Sequence, residues 1–429
     1  TRGANGTVAV AHANATTVYN ANTFTGWGQS AAYGIPQQLR LWSQANFGDY
    51  LIINPRGGAL YMWIPQYTGA GNLLFNTPAT LLSSTSAGVY QTDANCPTVC
   101  NLVLVSDASR FVITFGVNDY GSTTQDPMLI RWSDQENYQV WTPAITNQAG
   151  SYRLSSGSQI VAAQQTRQEI LVFTNSAVFS MQYLGPPYVW GFNILSNNIS
   201  IISPNAVATA NNITYWMGTD KFYAYTGRVE TLPSSLRQYV YDDINLDQSA
   251  QIFAGTNEGY SEVWWFYCSS NSTVVDRYVI YNYLDQVWYY GTINRSAWLD
   301  SPLRAYPMGA TYNQTVVFHE SGNDDVEISG QANPISDGST TPNPNTPQVT
   351  FTVRPRQNPG APYGSADTPQ VTSTQSYSNQ RYYTVQQFTQ IVYTRLRGRQ
   401  MAFKVSSDQL GCAWQLGTPR LDVRADGRR

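Results

Sequence analysis

Short runs of apolar and aromatic residues, separated by turn-forming residues, recur in this sequence from about Leu39 to Gly330. The runs lie roughly 8 to 15 residues apart, which is the spacing of strands in all-β sandwiches, barrels and propellers. The 30 Tyr and 12 Trp suit a pleated, half-buried surface, whereas Glu and Lys, which are common on exposed helices, are scarce. The sequence therefore predicts an all-β protein.

Pairs of these runs flank Gly or Asn turns, so we interpret them as antiparallel hairpins. The runs are 49–54, 59–63, 110–115, 128–132, 169–174, 177–181, 213–217, 221–225, 262–267, 277–281 and 286–290. Propeller blades take roughly 40 to 50 residues each. The stretch of about 290 residues therefore predicts a β-propeller of about six blades, with five or seven allowed. A pair of two-sheet sandwiches is the alternative.

The remaining segments differ in composition from the propeller region. Residues 1–38 are small, polar and rich in Gly, and predict an arm or the end of an upstream domain. The propeller is predicted to span residues 39–330. The Pro-rich residues 331–348 that follow it predict a linker. Strand-like runs at 349–353, 382–388, 391–396 and 401–405 then predict a small C-terminal β-domain, 349–429, that ends in a basic tail.

Charge is sparse and unevenly distributed. Only 12% of the residues are charged, and the cations are 22 Arg with two Lys, a preference that suits interfaces and phosphate contacts. Residues 1–344 carry 13 basic and 23 acidic side chains, a net charge of −10, whereas residues 345–429 carry 11 and 4, a net charge of +7. A free monomer normally displays more charge, so much of the surface is expected to face other subunits.

The sequence offers no recognisable catalytic, metal or cofactor site. It has only two histidines, His12 and His319, and lacks the HExxH, paired CxxC, GxSxG and Walker patterns. The adjacent Asp242-Asp243 would point to opposite faces of a strand, so they do not form the opposed pair of a glycosidase. The acidic loop 323–327 reads as a solvated turn rather than a calcium loop. We therefore predict no enzyme activity and no cofactor.

Two further points concern cysteines and membranes. Cys96 and Cys100 could form a bridge around residues 97–99 or remain free thiols, and the sequence does not decide between them. No apolar run approaches the roughly 18 residues of a membrane span, so no membrane insertion is expected.

Several segments, kept in order along the chain, resemble a known family. They are 41–52 (LWSQANFGDYLI) with 54–58 (NPRGG), 126–137 (DPMLIRWSDQEN) and 200–205 (SIISPN), with shorter matches at 167–172, 182–187, 254–257, 264–266 and 398–401. Together they resemble a widespread family of virion structural proteins of tailed bacteriophages, across about residues 39 to 429. This family is similar in architecture to propeller-type tail nozzle and packaged-DNA stabilisation hub proteins.

The resemblance implies a structural subunit of a phage tail, located in the virion, that forms part of the DNA exit channel and helps to retain and then eject packaged DNA. Implied partners are copies of the chain in a six-fold ring, the portal or adaptor, distal tail proteins, and DNA through weak non-specific contact. Within such a ring we predict phosphate contacts at Arg56, Arg131 and Arg167. The basic tail is predicted to dock on an acidic neighbour through Arg395, Arg397, Arg399, Arg428 and Arg429.

Two other functions remain open from the sequence. The first is a tail-associated receptor-binding or glycan-binding protein, in which aromatics such as Trp264 and Trp265 would stack on sugar, although strand alternation would place one of the two in the core. The second is an extracellular binding module of a host, which the family resemblance disfavours.

Overall fold

A computed structural model describes residues 41–67, 73–74, 77–84, 91, 93–107, 109–301, 303–313, 315–321, 348–356, 380–407, 414, 416–417 and 420–422. The chain divides into two compact units, of which the first ends at Val316 and the second begins at Val317. The predicted arm, 1–38, and residues 331–347 of the predicted linker lie outside the described residues.

Short strands are the main secondary structure of the described residues. The first are β1 (Trp42–Phe47), β2 (Tyr50–Pro55), β3 (Tyr61–Trp63), β4 (Gln66–Tyr67), β5 (Leu73–Leu74), β6 (Thr80–Leu81), β7 (Leu102–Val105), β8 (Val112–Phe115), β9 (Leu129–Trp132), β10 (Gly150–Arg153), β11 (Ile160–Gln165), β12 (Ile170–Thr174), β13 (Ala177–Gly185) and β14 (Val189–Asn197).

The strands that follow are β15 (Val207–Ala210), β16 (Ile213–Met217), β17 (Phe222–Tyr225), β18 (Val229–Leu232), β19 (Phe253–Asn257), β20 (Glu262–Tyr267), β21 (Arg277–Asn282), β22 (Val287–Thr292), β23 (Ala297–Leu299), β24 (Met308–Ala310), β25 (Val316–Phe318), β26 (Gln348–Arg356), β27 (Arg381–Gln386) and β28 (Gln400–Ser406). Helix α1 (Arg237–Asp243) and two 3-10 helices, Leu246–Gln251 and Glu258–Tyr260, interrupt them.

Six sheets, which we call A to F, follow one another along the chain. Sheet A is β1-β2-β3-β6, B is β7-β8-β9-β10, C is β11-β12-β13-β14, D is β15-β16-β17-β18, E is β19-β20-β21-β22 and F is β23-β24-β25. The pairs within sheets A to E, like β23 and β24 of sheet F, are antiparallel. A separate ribbon pairs β4 with β5.

Several neighbouring sheets meet through their first strands. Strand β7 contacts both β1 and β11, and β19 contacts both β15 and β23. A series of antiparallel meanders whose first strands lie together is the arrangement of blades in a β-propeller. The predicted all-β propeller of about six blades is therefore confirmed.

Apolar side chains fill the spaces between successive sheets. One core cluster joins sheets A and B, a second joins B and C, a third runs through C, D and E, and a fourth joins E and F. Phe173, Trp216 and Trp265 come from sheets C, D and E, and all three are fully buried in the third cluster. Sheets in the middle of the series therefore bury both faces. This distinguishes the fold from a pair of two-sheet sandwiches, in which each sheet buries one face.

The predicted hairpins correspond to the middle strands of the sheets. Runs 213–217 and 262–267 match β16 and β20 at both ends, and each pairs with the following predicted run. Middle strands are buried on both faces, so they read as continuous apolar runs. Most first and last strands were not predicted, because their shorter or partly exposed sequences, such as that of β10, do not show this signal.

Two local predictions were wrong. Asp242 and Asp243 lie at the end of helix α1, which buries Val240, and not on a strand. Residues 391–396 contain no strand either.

Among the described residues of the second unit, β27, β26 and β28 form a sheet in that order, with both pairs antiparallel. Residues directly opposite each other share a face, so Phe351, Tyr383 and Val405 lie on one side and Thr352, Tyr382 and Lys404 on the other. One face is therefore apolar and the other is polar and basic.

Removing an aromatic ring that packs between two sheets should lower the free energy of unfolding more than removing a ring on an outer strand. We predict that Trp216→Ala lowers the free energy of unfolding by about 3–5 kcal/mol, because the ring is fully buried and packs 5.1 Å from Phe173 of sheet C. Urea denaturation measures the change. The matched control is Tyr289→Ala on outer strand β22, where the ring is 45% exposed; an equal loss there would contradict the stacked-sheet core.

Candidate functional site

Arg131 lies on β9 with no exposed surface and fastens two loops to sheet B. Its Nη1 donates to the carbonyl oxygen of Asn118 at 2.9 Å, and its Nη2 donates to that of Asn95. The guanidinium carbon lies 4.1 Å from the centre of the Tyr120 ring, a cation–π distance. Arg131 is thus a structural anchor.

This burial contradicts the predicted phosphate contact at Arg131. A middle strand is covered by neighbouring sheets on both faces, so its side chain cannot reach a ligand outside the fold. Burial also lowers the pKa of Arg131, and the interaction with Tyr120 opposes that shift.

Asp93 holds the loop whose carbonyl oxygen Arg131 binds. Its Oδ1 accepts the N–H of Asn95 at 2.8 Å and the hydroxyl of Thr142 at 2.7 Å, and its Oδ2 accepts the N–H groups of Trp141 and Thr142 at 2.8 and 2.7 Å. Burial acts to raise the pKa of Asp93, but these hydrogen bonds favour the ionised form and the resulting pKa is lower than usual.

We predict that Asp93→Asn lowers the free energy of unfolding at neutral pH by about 1–3 kcal/mol, because an amide replaces one acceptor oxygen with a donor. The folded pKa of Asp93 is depressed. Its stabilisation is therefore present above the unfolded pKa of about 3.9 and is lost as the pH falls through the folded pKa. Urea denaturation at a series of pH values should show the difference from wild type narrowing in acid. A difference independent of pH would refute this role.

Arg56 connects sheet A with the first strand of sheet C. It follows β2, is partly buried, and donates from Nη1 to the carbonyl oxygen of Val161 at 3.0 Å and from Nη2 to that of Ile160 at 3.5 Å. Burial lowers the pKa of Arg56. Asn54, fully buried nearby, donates to the carbonyl oxygens of Gly58 and Cys100. The NPRGG motif is therefore a structural turn, and the guanidinium of Arg56 binds backbone carbonyls.

The other predicted contact residues lie at the surface where they are described. Arg167 is exposed between β11 and β12, and Arg395, Arg397 and Arg399 are exposed before β28. Arg428 and Arg429 lie outside the described residues. Phosphate contact at Arg167 and docking by the C-terminal arginines remain predictions.

A polar cluster that the sequence analysis missed joins sheets C and D. The buried carboxylate of Glu169 accepts hydrogen bonds from the hydroxyls of Ser180 and Tyr225 and from the amide of Gln182, the last at 3.1 Å. Burial, followed by the contact with Glu169, raises the pKa of Tyr225, so its hydroxyl stays protonated and donates. Glu169 precedes a run of 50 residues, Ile170 to Thr219, without a charged side chain. This run marks Glu169 as an isolated charge but does not identify its partners.

We predict that Glu169→Gln lowers the free energy of unfolding by about 1–3 kcal/mol, because the amide cannot accept all three hydrogen bonds. The same substitution at exposed Glu136 is the control and should change the stability by less than about 0.5 kcal/mol. Thermal or urea denaturation of both variants measures the contrast. Equal effects would show that the cluster contributes nothing specific.

The structure does not provide the predicted sugar-stacking site. Trp264 and Trp265 are 7% and 0% exposed, because β20 is a middle strand with sheets on both sides. Trp264 stacks on Trp298 with 5.1 Å between the ring centres, and Trp265 packs against Phe222 with 5.0 Å between the ring centres. The expectation that only one of the two lies in the core was therefore wrong.

An open, polar recess of about 480 Å³ lies at the end of sheet B. It is lined by Asp134, Gln135, Glu136, Thr146, Asn147 and Gln148. Asp134 accepts the N–H of Gln148 at 2.8 Å, and the Gln148 amide donates to Gln135 at 2.9 Å. These side chains hold their own loop, and no aromatic ring lines the recess.

The most exposed apolar surface of sheet C is the end of the β13–β14 hairpin, residues 182–191, which we call the hairpin tip. Strand β12 pairs with β13 only as far as Met181, whereas the β13–β14 pairing continues to Gly185 and Val189. The base of the tip packs on sheet B, with Tyr183 and Trp190 each within 5.6 Å of Phe111. Leu184 and Tyr188 are 59% and 78% exposed.

Cys96 and Cys100 are both buried free thiols, and burial raises the pKa of Cys96 to about 12.

His319 is partly buried, whereas His12 and the acidic loop 323–327 lie outside the described residues. Within the described ranges, no three His, Cys, Asp or Glu side chains are grouped as metal ligands. No helix in this part of the chain is long and apolar enough to cross a membrane.

No family model matches this sequence, and no curated protein does. Among solved structures, Hsv2 of Kluyveromyces marxianus is similar with a TM-score of 0.36 and 8% identity, over 67% of this chain and 75% of that chain. Hsv2p of Kluyveromyces lactis gives 0.35 and 12%, over 66% and 75%. An extracellular domain of a two-component system from B. thetaiotaomicron gives 0.30 and 11%, over 66% and 35%. These scores are too low to support an argument, and the propeller assignment rests on the sheet order.

Proposed function

We propose that this chain is a structural subunit of a tailed-phage virion, a propeller protein that packs side by side with copies of itself in a ring around the DNA exit path. The observation that carries the proposal is the hairpin tip, a firmly based projection whose exposed side chains are uncharged and, apart from Gln182 at its base, aliphatic or aromatic. A monomeric soluble protein rarely exposes such a surface without a partner.

The build of the hairpin tip supports a contact role. Its base is fixed by aromatic packing on sheet B and by a hydrogen bond from the Tyr183 hydroxyl to Gln148 at 3.1 Å. Gly191 permits close packing, since a Cβ there would lie 2.8 Å from Leu184. A fixed aromatic projection loses little conformational entropy on binding, as interface anchors require.

The segments that carry the family resemblance also favour a structural role. Asn54 and Arg131 lie in two of them, and both are fully buried and bind backbone carbonyls. Ser203 of a third segment is likewise buried. The resemblance thus falls on residues that maintain the fold and not on a pocket, which is the pattern expected of a rigid block in an assembly.

The acidic propeller suits a DNA passage. The described residues of the first unit carry 11 Lys and Arg and 18 Asp and Glu, a net charge of −7. A surface of the same sign as DNA does not retain a passing duplex. A glycan-binding role is the competing function, but the tryptophans suggested for it are buried.

Sedimentation and negative-stain imaging of the purified chain test this proposal. We expect six-fold rings with a central opening, and we expect Tyr188→Asp to weaken ring formation by roughly 30-fold or more, because anchor residues contribute about 2 kcal/mol or more. Ile145→Asp, at a fully exposed loop position, adds the same charge and should leave the rings intact.

A wild-type chain that stays monomeric at all concentrations would overturn the proposal. A monomer that captured a soluble glycan would instead support the competing function. Equal loss of rings in the Ile145→Asp control would show that the hairpin tip is not the contact.

A further inference from the structure

Two sheets of the first unit, C and E, have long outer strands without charge. The last strand of each sheet lies at its outer edge, because several neighbouring sheets meet through their first strands. Proteins protect such edges by keeping them short or by placing charges on them. Strands β6 and β25 have only two and three residues, β10 carries Arg153 and β18 carries Glu230. Strands β14, of nine residues, and β22, of six, carry neither charge nor Pro, so their edges remain open to a partner.

The edge of sheet E presents a group of apolar side chains that we call the edge patch. It consists of Tyr239 on helix α1 and of Val287, Tyr289 and Tyr290 on β22, all of them exposed. The rings of Tyr239 and Tyr290 lie side by side, with 4.6 Å between their centres. Tyrosine rings supply a large contact area with few rotatable bonds, as interface anchors do.

The residue between these side chains, Trp288, fixes the edge patch to the propeller. Its ring packs against Phe222 of sheet D and Tyr281 of β21, with 4.7 and 4.8 Å between ring centres. Its Nε1 donates to the carbonyl oxygen of Pro233 at 2.9 Å. Strand β22 is thus attached to sheet D as well as to β21, and a surface held in this way loses little conformational entropy when a partner binds.

The hairpin tip and the edge patch are two different surfaces of one chain. Tips that bound each other would form an isologous contact, which closes at two copies. A ring needs a heterologous contact, in which one surface of a copy binds a different surface of the next. The edge patch suits the tip because neither surface contains a charged side chain, so their contact would bury no unpaired charge.

The positions of sheets C and E in the propeller suit a ring of six. Successive blades of a six-bladed propeller are about 60° apart, so sheets C and E, with only D between them, point about 120° apart. In a ring of six copies, the directions from one copy to its two neighbours also enclose about 120°. With the propeller axes parallel to the ring axis, the hairpin tip of each copy points to one neighbour and its edge patch to the other.

We propose that the hairpin tip of one copy binds the edge patch of the next copy, with Tyr188 against the pair formed by Tyr239 and Tyr290. This inference rests on the proposed ring and gives its contact a direction and a specific partner surface. Helix α1 and strand β22 thereby acquire a role in assembly that the sequence analysis did not suggest.

Mixing two variants of the full-length chain tests this inference. Tyr188→Asp has a defective tip and an intact edge patch, whereas Tyr290→Asp has the reverse. Each variant alone should lose its rings, with association weakened by roughly 30-fold or more. An equimolar mixture should form a dimer that does not grow, because one intact tip meets one intact patch and no further pair is left. Sedimentation velocity over a range of concentrations measures both results.

Tyr67→Asp is the matched control, since Tyr67 is an exposed tyrosine on β4, outside both surfaces. The same substitution there should leave the rings intact. Urea denaturation of each variant alone checks its folding. If Tyr290→Asp lowers the midpoint, Tyr239→Asp takes its place, because that ring is exposed on helix α1.

The outcomes keep this inference apart from the proposed assembly. Rings formed by Tyr290→Asp and Tyr239→Asp as readily as by the wild type would eliminate this inference alone. So would a mixture that stays monomeric although both variants are folded and the wild type forms rings. Dimers of Tyr290→Asp without any partner variant would show that tips bind each other. A wild-type chain that stays monomeric would instead eliminate the proposed assembly, on which the inference rests.

Discussion

A sheet with two apolar faces must pack against a neighbouring sheet on each face, and this requirement organises the first unit. Middle strands such as β8 and β17 are buried throughout, so a single packing partner would leave one of their faces in water. Stacking successive sheets satisfies both faces at once and concentrates large rings, including Trp216 and Trp265, at the contacts. Each such ring removes about 150–250 Å² from water, which explains how a chain with few charges can be firmly folded.

Polar side chains within this stack act as connectors. Asn54, Arg131 and Glu169 each make several hydrogen bonds, and in each case the partners come from more than one strand or loop. Burying a charged group is costly unless its hydrogen bonds are supplied. Such residues therefore tolerate little change in the loops around them, and they define the positions of those loops more sharply than apolar contacts can.

The middle strands could be predicted because they carry the whole apolar signal of their sheets, as β16 and β20 show. Whether an individual arginine is buried or exposed could not be predicted. Arg131 and Arg167 look alike in sequence, but one lies on a covered strand and the other on a connecting loop. Trp264 was misjudged for a related reason, because alternation assigns one face of a strand to water only when no second sheet covers it. The Glu169 cluster depends on a contact between two sheets, which the sequence of either one does not reveal.

The division of charge along the sequence, −10 over residues 1–344 and +7 over residues 345–429, has a practical meaning for anyone handling the protein. A net charge of −3 describes the chain as a weak anion, yet an ion-exchange resin of either sign meets a segment of opposite charge. Retention on both kinds of ion exchanger follows, and at low ionic strength the acidic segment of one molecule attracts the basic segment of the next. Because salt screens such attraction beyond roughly 10 Å at 0.1 M, moderate salt should keep the purified chain in solution.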